Sequence, residues 1–282
     1  MARVNSYRSA AYPDMLITRG AVEAVFHLQI VFIHGITGSQ RFFARLERQL
    51  HSAPTMAETG SFDLLGFGTN RNRPSSYTLS DQLTHITASI NERFPCGKIV
   101  LIAHSLGGVL ALAWTVENLH RVSALVLVNT PLGESRTDLQ NSLLKGRFSW
   151  TTLLLKHRWL AHLACIIFRG AGLGRLFRFL KPSYVPDEVF YDYLSHNWHS
   201  LEQTFDDVVL GLPGAPLIRK IRDLSILNLM GDEDDEISRR AIQQPNVKNV
   251  SLHGGHLMLL EHPEETVPAI LQFLADQPAS SR

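Results

Sequence analysis

Apolar residues in this chain come in two rhythms. Short, mostly apolar runs at 29–33, 99–103, 122–129 and 224–230 are rich in β-branched and aliphatic side chains and read as strands buried on both faces. Between them the apolar positions spread to helical spacing. Phe42 or Phe43, Leu46 and Leu50 share one face after the first run, and Leu79, Leu83, Ile86, Ile90 and Phe94 share one before the second. Thr78 predicts the cap of that second helix, with Asp81 in its first turn, and Pro95-Cys96-Gly97 ends it. Strand, helix, strand, helix is the signature of a mostly parallel sheet flanked by helices. Further strands are expected at 247–252 and at 62–65, the latter running into the glycine loop Gly66-Phe67-Gly68. Residues 15–18 and 21–27, on either side of Arg19-Gly20, read as a hairpin.

Between about Leu132 and Leu217 the rhythm stops. Helical patterns at 150–168 and 174–180 take the place of strands, and an excursion of that size is expected to form a cap. The chain thus divides into a core domain, 1–131 with 218–282, and a helical cap insertion, 132–217. The first part of the cap is basic, from Lys145 to Lys181, and the second is acidic, from Asp187 to Asp207. Such runs read as solvated helix faces that pair with each other; steering of an anionic substrate is the rarer use.

The run at 99–103 leads directly into Ala103-His104-Ser105-Leu106-Gly107-Gly108 and then a helix with Leu110, Ala111 and Trp114 as packing residues. A serine between strand and helix sits on a sharp turn that projects its hydroxyl, provided that residues two before and two after it are small. Alanine replaces the more usual glycine at 103 and still meets that steric demand. The first run likewise ends in His34-Gly35-Ile36-Thr37-Gly38-Ser39, a glycine-bearing loop with backbone N–H groups to spare. Those of Ile36 and Leu106 are the candidate donors to an oxyanion formed at Ser105.

Composition bounds the chemistry. The 282 residues are 45% hydrophobic and 19% charged, enough for one large α/β domain. A net charge of +1 offers no case for nucleic acid or for an anionic membrane surface, and no apolar run is long enough to span a bilayer. Two cysteines, Cys96 and Cys165, give neither a disulfide framework nor metal-type spacing, and residues 1–16 lack the apolar core of a secretory signal, so a soluble cytoplasmic protein is expected. Monomer and homodimer both remain open.

Two loops at later strand ends complete the chemistry. Gly231-Asp232-Glu233-Asp234-Asp235 follows the run at 224–230, and His253-Gly254-Gly255-His256 follows 247–252. The last helix begins near Pro263, a residue suited to the first helical position. The order His34-Gly35, Gly66-Phe67-Gly68, Ala103-His104-Ser105-Leu106-Gly107, Gly231-x-x-Asp234 and Gly255-His256 resembles the α/β-hydrolase superfamily, in particular its capped, esterase-like members. The resemblance covers most of 30–274 and is weakest in the cap. It implies a serine hydrolase: Ser105 as nucleophile, His256 as base and then acid, and Asp234 as the carboxylate that orients His256. Asp232 and Asp235 are close competitors for the acid, and His253 and His262 for the base. His104 reads as structural or pocket-lining, and His85 as structural.

A serine nucleophile disfavours the family's carboxylate-nucleophile chemistries, and no cofactor fingerprint or metal-ligand set accompanies it. What remains is cleavage of a carboxylic ester, thioester or lactone of a small to medium apolar substrate through an acyl-enzyme. Carbon–carbon bond hydrolysis, acyl transfer, or a ligand-binding or cyclase scaffold are the alternatives within the fold.

Overall fold

The computed structural model describes residues 28–52, 57–145, 150–170, 179 and 181–277, with the backbone alone at 150–152 and 168–170. The hairpin expected before residue 28 lies outside the described residues, as does nearly all of the helix expected at 174–180. The apolar runs pair into one sheet. Its strands are β1 Leu28–Ile33, β2 Ala57–Ser61, β3 Ile99–His104, β4 Val122–Val128, β5 Ser225–Gly231 and β6 Val247–Leu252, in the order β2-β1-β3-β4-β5-β6, and every neighbouring pair is parallel.

Alternate residues of each strand enter opposite layers, as a two-residue period requires. On one side Ile30, Phe32, Val100, Ile102, Val126 and Leu227 pack against α1 Ala44–Ser52, through Leu46 and Leu50, and against the C-terminal α11 Pro263–Ala275. On the other side Val31, Ile33, Leu101, Ala103, Leu125 and Ile226 meet α2 Leu79–Arg93 and α3 Leu106–Glu117. Because both faces are covered, the central strands are mostly apolar. For the same reason every residue of α3 from Leu106 to Thr115 is buried. Helix α2 opens with a capping box: Asp81 N–H donates to Thr78 Oγ1, and Thr78 N–H donates to Asp81 Oδ2, each at 3.2 Å. At the start of α11, Pro263 occupies the first turn as expected, preceded by a separate single turn, α10 Met258–Glu261.

Two expected elements differ. The strand expected at 62–65 is a loop, and β2 lies just before it on the polar stretch Ala-Glu-Thr-Gly-Ser. In 62–67 the backbone is held by side chains and local turns, not by a neighbouring strand: Leu64 N–H donates to His34 Nε2 (3.0 Å), Leu65 N–H to Gln82 Oε1 (3.1 Å) and Phe67 N–H to Leu64 O (3.1 Å). Leu64, Leu65 and Phe67 still reach the core. The single helix expected at 150–168 breaks at His157 into α5 Trp150–Lys156 and α6 Arg158–Gly170. The bend lets Leu154, Ala161 and Cys165 all bury while Arg158 reaches Glu202 and Asp206.

Between β4 and β5 the described residues form helices joined by loops and turns, with no strand among them. Helix α4 Arg136–Lys145 precedes α5 and α6; α7 Asp187–Leu194, α8 Trp198–Thr204 and α9 Gly214–Ile218 follow them. Helix α8 widens into a π turn at Phe205–Val209, where Leu210 N–H reaches back to Phe205 O. This helical segment is tied to the loops after β1 and β2. Asp192 of α7 accepts from Ser39 Oγ (2.5 Å) and from Arg41 Nη1 (3.1 Å), and Ser200 Oγ of α8 donates to Gly66 O (2.9 Å).

Candidate active site

All strands are parallel, so their C-terminal ends share one edge of the sheet, and the polar loops that follow the apolar runs converge there. Ser105 stands between β3 and α3 with φ 54° and ψ −121°, a conformation that costs a non-glycine residue strain and persists because its surroundings fix it. Ser105 N–H donates to Val128 O at 2.9 Å. Small neighbours are mandatory here: a Cβ on Gly107 would stand 2.3 Å from Ile33 O and 2.5 Å from His34 O, and one on Gly108 would collide with Thr130. Ala103, on the other side of the turn, packs in the core without opening it.

Three side chains that are far apart in sequence meet at this turn. His256 Nε2 lies 2.9 Å from Ser105 Oγ, and His256 Nδ1 lies 2.8 Å from Asp234 Oδ2 and 3.0 Å from Oδ1. The Asp234 side chain is almost wholly buried, whereas that of His256 is 43% exposed and open to an incoming molecule. Burial favours the neutral form of Asp234, but His256, the Asn129 amide and the Asp235 N–H (2.7 Å) together hold its carboxyl below the usual range. Burial alone would lower the pKa of His256, and the Asp234 carboxylate more than offsets this, holding the imidazole above 6.5.

Geometry separates the competing residues. Asp232 accepts from Gly254 N–H (3.1 Å) and faces His253 at 3.3 Å, so these two pair with each other beside the site. His262 stands at the residue before the last helix and faces Glu264 at 3.4 Å. The acid loop and the histidine loop touch through backbone at Gly231, where a Cβ would stand 2.4 Å from Gly254 O and 2.8 Å from Gly255 O. His104 is buried, stacks on Phe42 and donates from Nε2 to His256 O at 2.8 Å. Burial, reinforced by the charge of His256, pushes its pKa down to about 3, so it stays neutral and acts as a prop for the histidine loop. His85 is structural too, bonded to Asp63 O at 2.8 Å.

The loop after β1 completes the edge. His34 is fully buried and its pKa is lowered by that burial; Nδ1–H donates to Gly35 O (2.8 Å) while Nε2 accepts from Leu64 N–H. Gly35 lies against the turn, since a Cβ there would meet His104 Nδ1 at 2.8 Å and Ser105 Cβ at 3.1 Å. Ile36 follows directly, half-buried, and Leu106 begins α3. Neither backbone N–H has a protein acceptor among the described residues.

One contributor was absent from the sequence reading. Asn129, the first residue after β4, has φ 48° and donates from Nδ2 to Asp234 Oδ2 (2.5 Å) and to Gly255 O (3.2 Å). It therefore holds the acid and the histidine loop at once. Its signal in the sequence is a polar residue closing an apolar strand.

The Alpha/beta hydrolase family model matches residues 30–269. Among curated proteins, "Probable lysophospholipase BODYGUARD 4" of Arabidopsis thaliana is 26% identical over 193 residues, 64% of this chain and 46% of that protein. "1-acylglycerol-3-phosphate O-acyltransferase ABHD5" of Sus scrofa is 31% identical over 116 residues, 40% of this chain and 32% of that protein. The matches thus span less than half the length of these relatives. Among solved structures, MenH from S. aureus superposes with a TM-score of 0.64 at 21% identity, covering 91% of this chain and 96% of that one. A thermophilic esterase from Thermogutta terrifontis gives 0.63 at 19% identity, covering 89% and 90%. At these identities the structural likeness concerns the fold. With a family model spanning nearly the whole described sheet, and that sheet carrying its polar loops on one edge, the chain belongs to the alpha/beta hydrolase family.

Proposed function

We propose that this protein is a serine hydrolase that cleaves a carboxylic ester through an acyl-enzyme. The observation that carries the reading is the unbroken contact series from Ser105 Oγ through both nitrogens of His256 to the buried Asp234. A neutral hydroxyl is a weak nucleophile. With His256 Nε2 accepting its proton as Ser105 Oγ attacks the ester carbonyl, the charge that develops on the imidazole is stabilised by Asp234. The carbonyl oxygen becomes an oxyanion, for which the N–H groups of Leu106 and Ile36 are the donors. His256 then returns the proton to the leaving alcohol, and water repeats the sequence to free the acid.

Residues 132–217 act as the cap in this reading. Its support is the pair of ties from Asp192 to Ser39 and Arg41 and from Ser200 to Gly66, which anchor the helical segment to loops bordering the site. The relatives named above carry lysophospholipase and acyltransferase activities in their names, and what we extend to this chain is acyl-ester chemistry on an apolar acyl group. Intact-mass analysis after treatment with a fluorophosphonate tests the reading without the natural substrate. One adduct on the wild type, none on Ser105→Ala, and strongly slowed labelling of His256→Ala are expected. A folded wild type that neither labels nor turns over a panel of esters, including a monoacyl phospholipid, would remove the proposal.

A further inference from the structure

Helix α6 carries its large apolar residues on the wrong side for a soluble helix. Trp159, Leu163, Ile166 and Ile167 recur at spacings of four, three and one residue and so share one face. They are 67%, 47%, 55% and 40% exposed. The residues that α6 buries are the small Ala161 and Cys165, turned toward a body to which the helix is strapped by Arg158, paired with Glu202 and Asp206, and by His162 stacked on Trp198. Single exposed apolar residues are ordinary, but a continuous stripe of four that includes a tryptophan marks a surface meant to be covered.

The charge around the stripe indicates by what. Between Asp138 and Asp187 the chain contains eight Lys or Arg and no Asp or Glu, although the whole protein carries a net charge of only +1. Of these, Arg158 is paired with Glu202 and Asp206 and Lys181 with Asp187, while Lys145 and Lys156 are exposed. A symmetric contact between two copies through α6 would set two such cationic stretches against each other. A Trp-, Leu- and Ile-bearing helix face in a stretch whose own sequence is cationic instead suits the headgroup boundary of an anionic membrane, where apolar burial and electrostatic attraction add.

We propose that the exposed face of α6 docks this protein onto an anionic lipid surface. No helix among the described residues is long and apolar enough to cross a membrane, so this is attachment in the plane of the interface. Docking does not depend on the hydrolase reading, and binding is measured apart from turnover.

The test is flotation with vesicles of phosphatidylcholine alone or mixed with phosphatidylserine, using wild type, Trp159→Ser/Ile166→Ser, Lys156→Glu and Ser105→Ala. Wild type and Ser105→Ala should float with the mixed vesicles and less with phosphatidylcholine alone, and added salt should weaken the binding. The double variant should lose at least about tenfold in partitioning, because each apolar group lost from the interface contributes on that scale. Its substitutions are at exposed positions, and an unchanged thermal melt verifies the fold. Lys156→Glu should reduce binding to the mixed vesicles more than to phosphatidylcholine. Wild type that stays at the bottom with both vesicle types overturns the proposal, as does a folded double variant that floats like wild type. Light scattering supplies a third overturning result: a dimer that does not float and that the double variant splits into monomers, which would assign the stripe to a second copy.

Discussion

Asn129 makes a sharp test because its role is separable from its backbone strain. Both hydrogens of its amide are used, one on the Asp234 carboxylate and one on Gly255 O, and its φ of 48° suits asparagine or glycine. Asn129→Gly removes both bonds and leaves the backbone free to keep its conformation. A hydrogen bond to a charged acceptor contributes about 1.5–3 kcal/mol. At about 1.4 kcal/mol per factor of ten, that bounds the loss in kcat/KM at about 10- to 100-fold. Asp234 keeps the Asp235 N–H and His256, so the lower part of that range is expected. Asn129→Ala should fall equally in kcat/KM but should also lose about 1–2 kcal/mol of stability, since alanine must be held in the left-handed region. The assay is kcat/KM on an activated ester, or the second-order rate of fluorophosphonate labelling, alongside a thermal melt of each variant. A correctly folded Asn129→Gly with wild-type kcat/KM would refute the idea that Asn129 positions the acid. So would a deficit confined to the alanine variant, which would mean that only backbone strain matters.

Because His256 must be neutral to take the serine proton, activity should rise with pH through a midpoint above 6.5, the side to which Asp234 shifts it. Asp234→Asn removes the larger part of that shift and leaves burial opposed only by the Asp235 charge, so the midpoint should move down while the plateau falls by about three to four orders of magnitude; an unmoved midpoint would contradict the assigned coupling. Gly231→Ala drives a Cβ into Gly254 O and Gly255 O, backbone atoms that cannot swing away. It should cost about 1–3 kcal/mol in urea unfolding and reduce kcat/KM as the acid and histidine loops part; wild-type values for both would show that the close approach is dispensable.

The sheet was legible because a strand covered on both faces has little choice but to be apolar, and β1, β3, β4 and β5 lie where their runs begin and end to within about a residue or two. Strand β2 escaped for the converse reason. As an edge strand it is held by pairing with β1 alone, and its Ala-Glu-Thr-Gly-Ser carries no apolar signal, while the apolar Leu64 and Phe67 beside it reach the core from a loop that His34 and Gln82 hold. The break at His157 was invisible because helical periodicity runs through it. The bend goes with contacts distant in sequence: it buries Leu154, Ala161 and Cys165 together and brings Arg158 to Glu202 and Asp206, more than forty positions away.

The candidate site divides along the same line. Ser105 announces itself through its neighbours, because the sharp turn needs small residues at short range. Asp234, by contrast, could not be told from Asp232 and Asp235 by spacing: all three sit on one loop, and what separates them is where Gly231 lets that loop touch Gly254 and Gly255. Asn129 carries a signal of the same positional kind. In an all-parallel sheet every strand ends on the same edge, so a polar residue closing an apolar run is a site candidate by position alone. His34 closes β1, Ser105 follows β3, and the acid loop follows β5. Applied to β4, which lies between β3 and β5, the same rule returns Asn129, 105 residues from the carboxylate it holds.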